Sequence, residues 1–351
     1  MNDTGLKCGA AFGIISETSA KRIFFGKEGE RVSEIKFCAF ADLHYRPGVF
    51  FTEGEKRLDA IIRRASESGA DFIIHLGDLC HAPHEQARLI KRYESAPMPA
   101  YHCLGNHEFE ESTYEQVLEA YKLERGYYFF DRGGFRFIVL DLNYARVDGR
   151  AVHYSLGNSV TLPDGADKVT LEEGQREWLI ETVTASPYPC VLFSHFSLER
   201  ENSRISDAER ASIWETLGEL NRGRRRMILA INGHHHMDNL RVAQGIAFLD
   251  LNSASYHWIN EEHKLFPKEL YDEYRLVGHT LIYEDPLSAV ITLRDDGYIK
   301  IEGVKSRFLY GVDREKVGLP LCDSAGRACT AQILSAELCA EQRAGFSQKR
   351  R

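Results

Sequence analysis

Five short apolar runs in this sequence each end in side chains able to bind a cation. The runs are FADLH (40–44), HLGD (75–78), LGNHE (104–108), FSH (193–195) and NGHHH (232–236). They supply Asp42, His44, Asp78, Asn106, His107, His195, His234 and His236. Mixed imidazole and oxygen donors suit Zn²⁺, Fe or Mn²⁺ better than Ca²⁺. Taken singly, each run has an ordinary explanation. Asp-x-His is common, Gly-Asp after a strand is often a turn, and a His run can be a polar loop. Taken together they would crowd carboxylates and imidazoles into one place, at a large desolvation cost that a cation offsets.

The elements around these runs explain how they could meet. IKFCAFA (35–41), DFIIHL (71–76), AYHCL (100–104), GFRFIVLD (134–141), PCVLFS (189–194) and MILAI (227–231) read as buried strands. Helices separate them. Leu58, Ile61, Ile62 and Ala65 form an i, i+3, i+4, i+7 stripe over 54–69, closed by Gly69. Further helices are expected near 83–94, 172–183 and 207–220. Strand-like runs follow at 239–250, 275–284, 287–294 and 297–303. Alternating strands and helices that finish on strands predict an α/β layered sandwich. In such sheets ligands bind outside the carboxyl ends of the strands, where all five runs terminate.

Residues 1–33 read as an N-terminal extension with a short hairpin around FFGKEGE, residues 34–304 as the catalytic domain, and 305–351 as a surface-laid tail. The tail carries no motif residue, so removing it beyond about residue 320 is expected to spare catalysis. The net charge of −8 provides no general attraction to nucleic acid or anionic membrane. No run approaches the roughly 18–20 apolar residues that span a bilayer. The apolar stretch from Cys8 to Ile15 is short, and Asp3 precedes it where a signal peptide wants positive charge. Eight cysteines without a CxxC pair suggest a reduced, cytoplasmic chain, although Cys322 and Cys329 could pair.

The blocks Asp42-Leu43-His44, Gly77-Asp78, Gly105-Asn106-His107-Glu108, His195 and Gly233-His234-His235-His236 are together similar to the signature of the calcineurin-like metallophosphoesterases. The likeness covers roughly residues 35–255, including GQREWL and CVLFSHFSL. It implies a four-layer α/β/β/α sandwich with C-terminal strands, and two divalent or trivalent transition-metal ions (Mn, Fe or Zn). Asp42, His44 and His236 would hold one ion, Asn106, His195 and His234 the other, and Asp78 would bridge them. An extended His-x-His would send His234 and His236 to one face and His235 away. The chemistry implied is metal-assisted hydrolysis of a phosphate ester, with ions about 3.5–4 Å apart that polarise the phosphoryl group and acidify a water. By the same resemblance His107 stabilises developing charge or protonates the leaving oxygen, and Glu108 could orient an imidazole.

Further candidates border these blocks. His81, His84, Tyr256 and His257 could touch substrate, as could Asn252, whereas His75 and His102 read as core histidines. RGRRR (222–226) reads as a solvated face. Departures from the family pattern narrow the substrate. Protein phosphatases of this kind carry arginines in the second and third blocks; here those blocks read GDLCHA and LGNHE. The tyrosine ligand of plant-type purple acid phosphatases is also missing after Asp78. The remaining branch is the small-molecule phosphodiesterases, acting on cyclic nucleotides or nucleotide diphosphate derivatives. The alternatives are a phosphomonoesterase, a nuclease, which the acidic charge opposes, and a metal-free scaffold, which the complete donor set opposes. The expected partner is a small phosphate ester.

Overall fold

The computed structural model of the chain describes residues 33–157, 169–198, 207–223 and 226–340, so the expected hairpin around FFGKEGE lies outside the described residues. The first strand, β1 (Glu34–Phe40), leads through α1 (Gly54–Glu67) to β2 (Phe72–Leu76), and α2 (Ala87–Glu94) leads on to β3 (Ala100–Cys103). After α3 (Tyr114–Tyr121) come β4 (Tyr128–Arg132) and β5 (Phe135–Val139), then a hairpin of β6 (Tyr144–Val147) and β7 (Arg150–His153). The chain continues as α4 (Glu173–Thr184), β8 (Cys190–Ser194), α5 (Asp207–Leu220), β9 (Met227–Asn232), β10 (Asn239–Ala243) and β11 (Ile246–Asp250). It closes on β12 (Tyr256–Trp258), α6 (Lys268–Glu273), β13 (Thr280–Ile282), β14 (Ala289–Arg294), β15 (Ile299–Gly303) and β16 (Ala336–Leu338).

Two six-stranded sheets result, in the orders β16-β15-β14-β1-β2-β3 and β10-β11-β9-β8-β5-β4. In the first, β1, β2 and β3 run parallel. In the second, β5, β8, β9 and β11 run parallel. Strand alternation then decides the layers. Phe37, Ala39, Phe137, Val139, Val191 and Phe193 share one apolar cluster between the sheets. Their neighbours Cys38, Phe40, Ile138, Cys190 and Leu192 belong instead to the cluster that holds the helices. There α1 contributes Leu58, Ile61 and Ala65, while α4 and α5 contribute Leu179, Val183 and Leu217. Each such Leu or Ile contributes about 1.5–3 kcal/mol by leaving water. The architecture is the expected four-layer α/β/β/α sandwich.

The helix expected over 83–94 divides into a 3₁₀ turn at Pro83–Glu85 and α2. Helix α3 starts with a capping box, Thr113 accepting from the Gln116 N–H and Gln116 accepting from the Thr113 N–H. That signal, Thr-x-x-Gln, stands in the sequence and could have announced the helix.

The segment from 305 to 338 is more than a surface-laid tail. It adds β16 to the edge of the first sheet, and it buries Cys329, Ala331 and Ile333. Cys329 carries a free thiol, so the suggested pair with Cys322 does not form. Weak periodicity hid this packing because the segment is anchored mainly by backbone. Asn252 donates its amide to the carbonyls of Thr330 and Gln332, and the Leu334 N–H donates to Asp238. Arg226, expected on a solvated face, donates to the carbonyls of Val183, Thr184 and Ser186.

Candidate metal centre

The parallel strands stop at one end of the sandwich, and the chain turns sharply there. Asp42, His44, Asp78, His234 and His236 all have left-handed backbone, with φ between 52° and 70°. Non-glycine residues adopt this region rarely and at a cost, and they cluster where the surroundings over-determine them. The expectation of an extended His-x-His is therefore corrected: His234 and His236 are brought close by two left-handed turns, not by strand alternation. The glycines in the motifs have a matching reason. A Cβ at Gly77 would collide with the His195 ring, and one at Gly105 with the Asp78 carboxylate.

Two groups of donors converge at this end. Asp42, His44 and His236 form one, and Asp78, His195 and His234 the other, the donor atoms of each lying within 4.8 Å of one another. In the first, His44 Nε2 is 3.0 Å from His236 Nε2, and His236 Nε2 is 3.3 Å from Asp42 Oδ1. In the second, His195 Nε2 lies 3.1 Å from Asp78 Oδ2, 3.2 Å from Asn106 Oδ1 and 3.2 Å from His234 Nδ1. Asp78 Oδ2 is also 3.7 Å from His44 Nε2, which places this carboxylate between the groups.

The backbone fixes which nitrogens face inward. His236 Nδ1 donates to the Tyr256 carbonyl and His195 Nδ1 to the Leu76 carbonyl, both at 2.8 Å. Their Nε2 atoms then present lone pairs to carboxylate and amide oxygens, an arrangement that repels unless positive charge sits among them. The field shows the same demand. Burial alone would lower His195, yet the Asp78 carboxylate raises it to about 9. Asp78 itself is held well below the usual carboxylate range: burial pushes it up, but His195, His107 and His44 outweigh that. These donors fit cations of the transition series.

His107 projects beside this centre with its side chain 28% exposed, its Nε2 3.9 Å from Asp78 Oδ2. Its Nδ1 lies 2.7 Å from Glu110 Oε1. Burial would lower His107, but Asp78 and Glu110 raise it to about 9. Glu110, absent from the sequence-level candidates, is the residue that reasoning missed. Its other oxygen lies 3.0 Å from His81 Nδ1, and His81 Nε2 is 3.3 Å from His44 Nδ1. A relay therefore runs from Glu110 through His81 to the outer nitrogen of His44, leaving His44 Nε2 to face the first donor group. His44, His81 and His107 also have donor atoms within reach of a common ion, but this relay already occupies the nitrogens of His81. The one available signal was Glu110 following His107 by three residues.

Other candidates take different places. Glu108 is fully buried and orients no imidazole. It accepts from the N–H groups of Asp78, Leu79 and Gly105 and from the Tyr121 hydroxyl, tying the two loops together. Tyr256 and His257 are buried beneath the donor loop, where His257 Nδ1 donates to the His236 carbonyl. Asn252 is buried and braces the C-terminal segment. His84 is exposed and bonds Ser112. His75 and His102 bond each other within the core at 2.8 Å.

The model of the calcineurin-like phosphoesterase family matches residues 35–238. Among solved structures, a dimetal phosphatase from Danio rerio superposes with a TM-score of 0.52 at 16% identity, covering 78% of this chain and 98% of its own. GAP50, described as the anchor in the inner membrane complex of Plasmodium, gives 0.50 at 14% identity, covering 78% and 84%. At such identities both show the fold alone. No curated protein sequence matches this chain significantly. Among the described residues no helix is long and apolar enough to cross a membrane. The two converging donor groups and a family match that spans the donor loops lead to one conclusion: the chain belongs to the calcineurin-like phosphoesterases and is a metal-dependent phosphoester hydrolase.

Proposed function

We propose that this enzyme is a dinuclear phosphodiesterase acting on a small phosphodiester or a pyrophosphate-linked molecule. Asp42, His44 and His236 would hold one ion and Asn106, His195 and His234 the other, with Asp78 between them; these donors suit Mn, Fe or Zn. Bound there, the ions supply Lewis acidity toward the phosphoryl oxygens and acidify a water. Asp78 keeps the two donor groups in register through its shared oxygen. His107, with Nδ1 turned to Glu110, directs Nε2 toward the centre and gives its proton to the leaving oxygen. His81 keeps His44 in one orientation, and Glu108 keeps the loops of Asp78 and Gly105 together.

The observation that carries the diester reading is the state of Arg46. A monoester dianion places more charge on its free oxygens than a diester, and enzymes specialised for it commonly grip those oxygens with arginine. Both protein-phosphatase arginine positions are empty of arginine here, and Arg46 is the nearest substitute in sequence. Its guanidinium pairs with Glu111 and lies 3.6 Å from Glu110, so it is already neutralised. The same reading places the enzyme in the cytoplasm; Cys38, Cys80, Cys103, Cys190 and Cys329 are buried free thiols.

The test compares kcat/KM for bis(p-nitrophenyl) phosphate and p-nitrophenyl phosphate on the Mn²⁺-loaded enzyme, followed by pyrophosphate-linked nucleotides and a phosphopeptide. Preference for the diester and the linked nucleotides is expected. Preference for the monoester and the phosphopeptide would replace this reading with a phosphatase.

A further inference from the structure

We propose that Trp258, backed by His279, forms a stacking platform that receives a nucleobase while the phosphate lies at the metal centre. This names the substrate class of the site and rests on the phosphodiesterase reading above.

Strand β12 sets the position of the platform. Tyr256 and Trp258 are two residues apart on an extended strand and so lie on one face. The Tyr256 ring packs against the metal-donor rings, 5.3 Å from His44 and 5.1 Å from His236. The Trp258 ring stands 6.4 Å farther along that face. A second aromatic route reaches the same place: Phe50 is 5.9 Å from His44 and 6.1 Å from Trp258. The indole is thus separated from a metal-donor ring by a single aromatic ring, whichever route is followed. That separation suits a nucleotide, in which a ribose divides the flat base from the phosphate.

Trp258 is also held as a platform should be. His279 lies nearly parallel to it at 5.7 Å and 15°, and Phe50 meets it edge-on at 70°. Yet the residue keeps 39% of its surface exposed, unlike Trp178 and Trp214, which are packed against the core. The strand is locked to the metal centre by two hydrogen bonds, His236 Nδ1 to the Tyr256 carbonyl and His257 Nδ1 to the His236 carbonyl. A rigid aromatic face at a fixed offset from a phosphate site provides base stacking without base-specific hydrogen bonds. The platform is therefore expected to accept any base and to discriminate against substrates that lack one.

The experiment measures binding of AMP and of ribose 5-phosphate to the Mn²⁺-loaded protein by calorimetry, for the wild type, Trp258→Leu and Trp258→Phe. Removing a stacked aromatic typically costs about 10- to 100-fold in affinity. Wild type should prefer AMP by that factor, Trp258→Leu should lose the preference with ribose 5-phosphate affinity and metal content unchanged, and Trp258→Phe should recover part of it. Equal binding of the two ligands by the wild type, or an AMP preference that survives in Trp258→Leu, would overturn the platform. If the AMP preference depends on Trp258 while the wild type hydrolyses neither bis(p-nitrophenyl) phosphate nor linked nucleotides, the platform stands and the phosphodiesterase reading falls.

Discussion

Replacing Glu110 with Gln should move the alkaline limb of turnover while leaving the acid side nearly intact. His107 reaches about 9 against burial because two carboxylates, Asp78 and Glu110, face it. In the metal-loaded enzyme the cations balance Asp78, so the limb lies at or below that value and Glu110 becomes the main support of the protonated imidazole. An opposite charge in contact is worth about 1–3 pKa units, and Glu110 Oε1 is only 2.7 Å from His107 Nδ1. A raised pKa keeps the proton donor in place below it, and turnover is lost as pH rises through it. A limb lowered by about 1 unit thus appears as a rate loss near pH 8 with little loss near pH 6, and one lowered by about 3 units reaches pH 6 as well. The assay is kcat against pH for a diester with an alkyl leaving group, which needs the proton more than p-nitrophenolate does. His107→Ala should abolish the limb altogether. A Glu110→Gln profile that superimposes on the wild type would refute the assignment of Glu110 to His107.

Four further outcomes are expected. Asp78→Ala should empty both metal sites by elemental analysis, because it removes the oxygen that lies between the donor groups. His107→Ala should retain metal while kcat falls about 10²- to 10⁴-fold, and loss of metal instead would make it a structural residue. Glu108→Ala orphans three buried N–H groups, each worth about 1–3 kcal/mol, so the urea midpoint and the metal content should both drop. Truncation after Pro320 removes β16 and the bonds to Asp238 and Asn252; it should lower the thermal midpoint, and unchanged stability would show that the segment contributes nothing to the sandwich.

The sequence by itself determined the alternation of strands and helices and the polar residues at the strand ends. Strands such as 35–41, interrupted only by Lys36, and 227–231 are nearly continuous apolar runs because both of their faces are buried, and that pattern survives in one dimension. The helical stripe of Leu58, Ile61 and Ala65 is equally local. The motif residues were legible because strand ends are marked by Gly, Asp, Asn and His. What sequence could not show was the backbone that aims them. Left-handed Asp42, His44, Asp78, His234 and His236 carry no glycine signal, since tertiary contacts rather than local preference impose those angles. Glu110 was invisible for a related reason. Its importance lies in reaching His107 and His81 together, and His81 belongs to a different loop, 29 residues away. Glu108 is the reverse case. It stands inside the motif, yet only the packed structure shows that its carboxylate serves backbone N–H groups and no imidazole. The C-terminal segment makes the same point on a larger scale, because backbone hydrogen bonds to Asn252 and Asp238 leave no periodic trace in the side chains that make them.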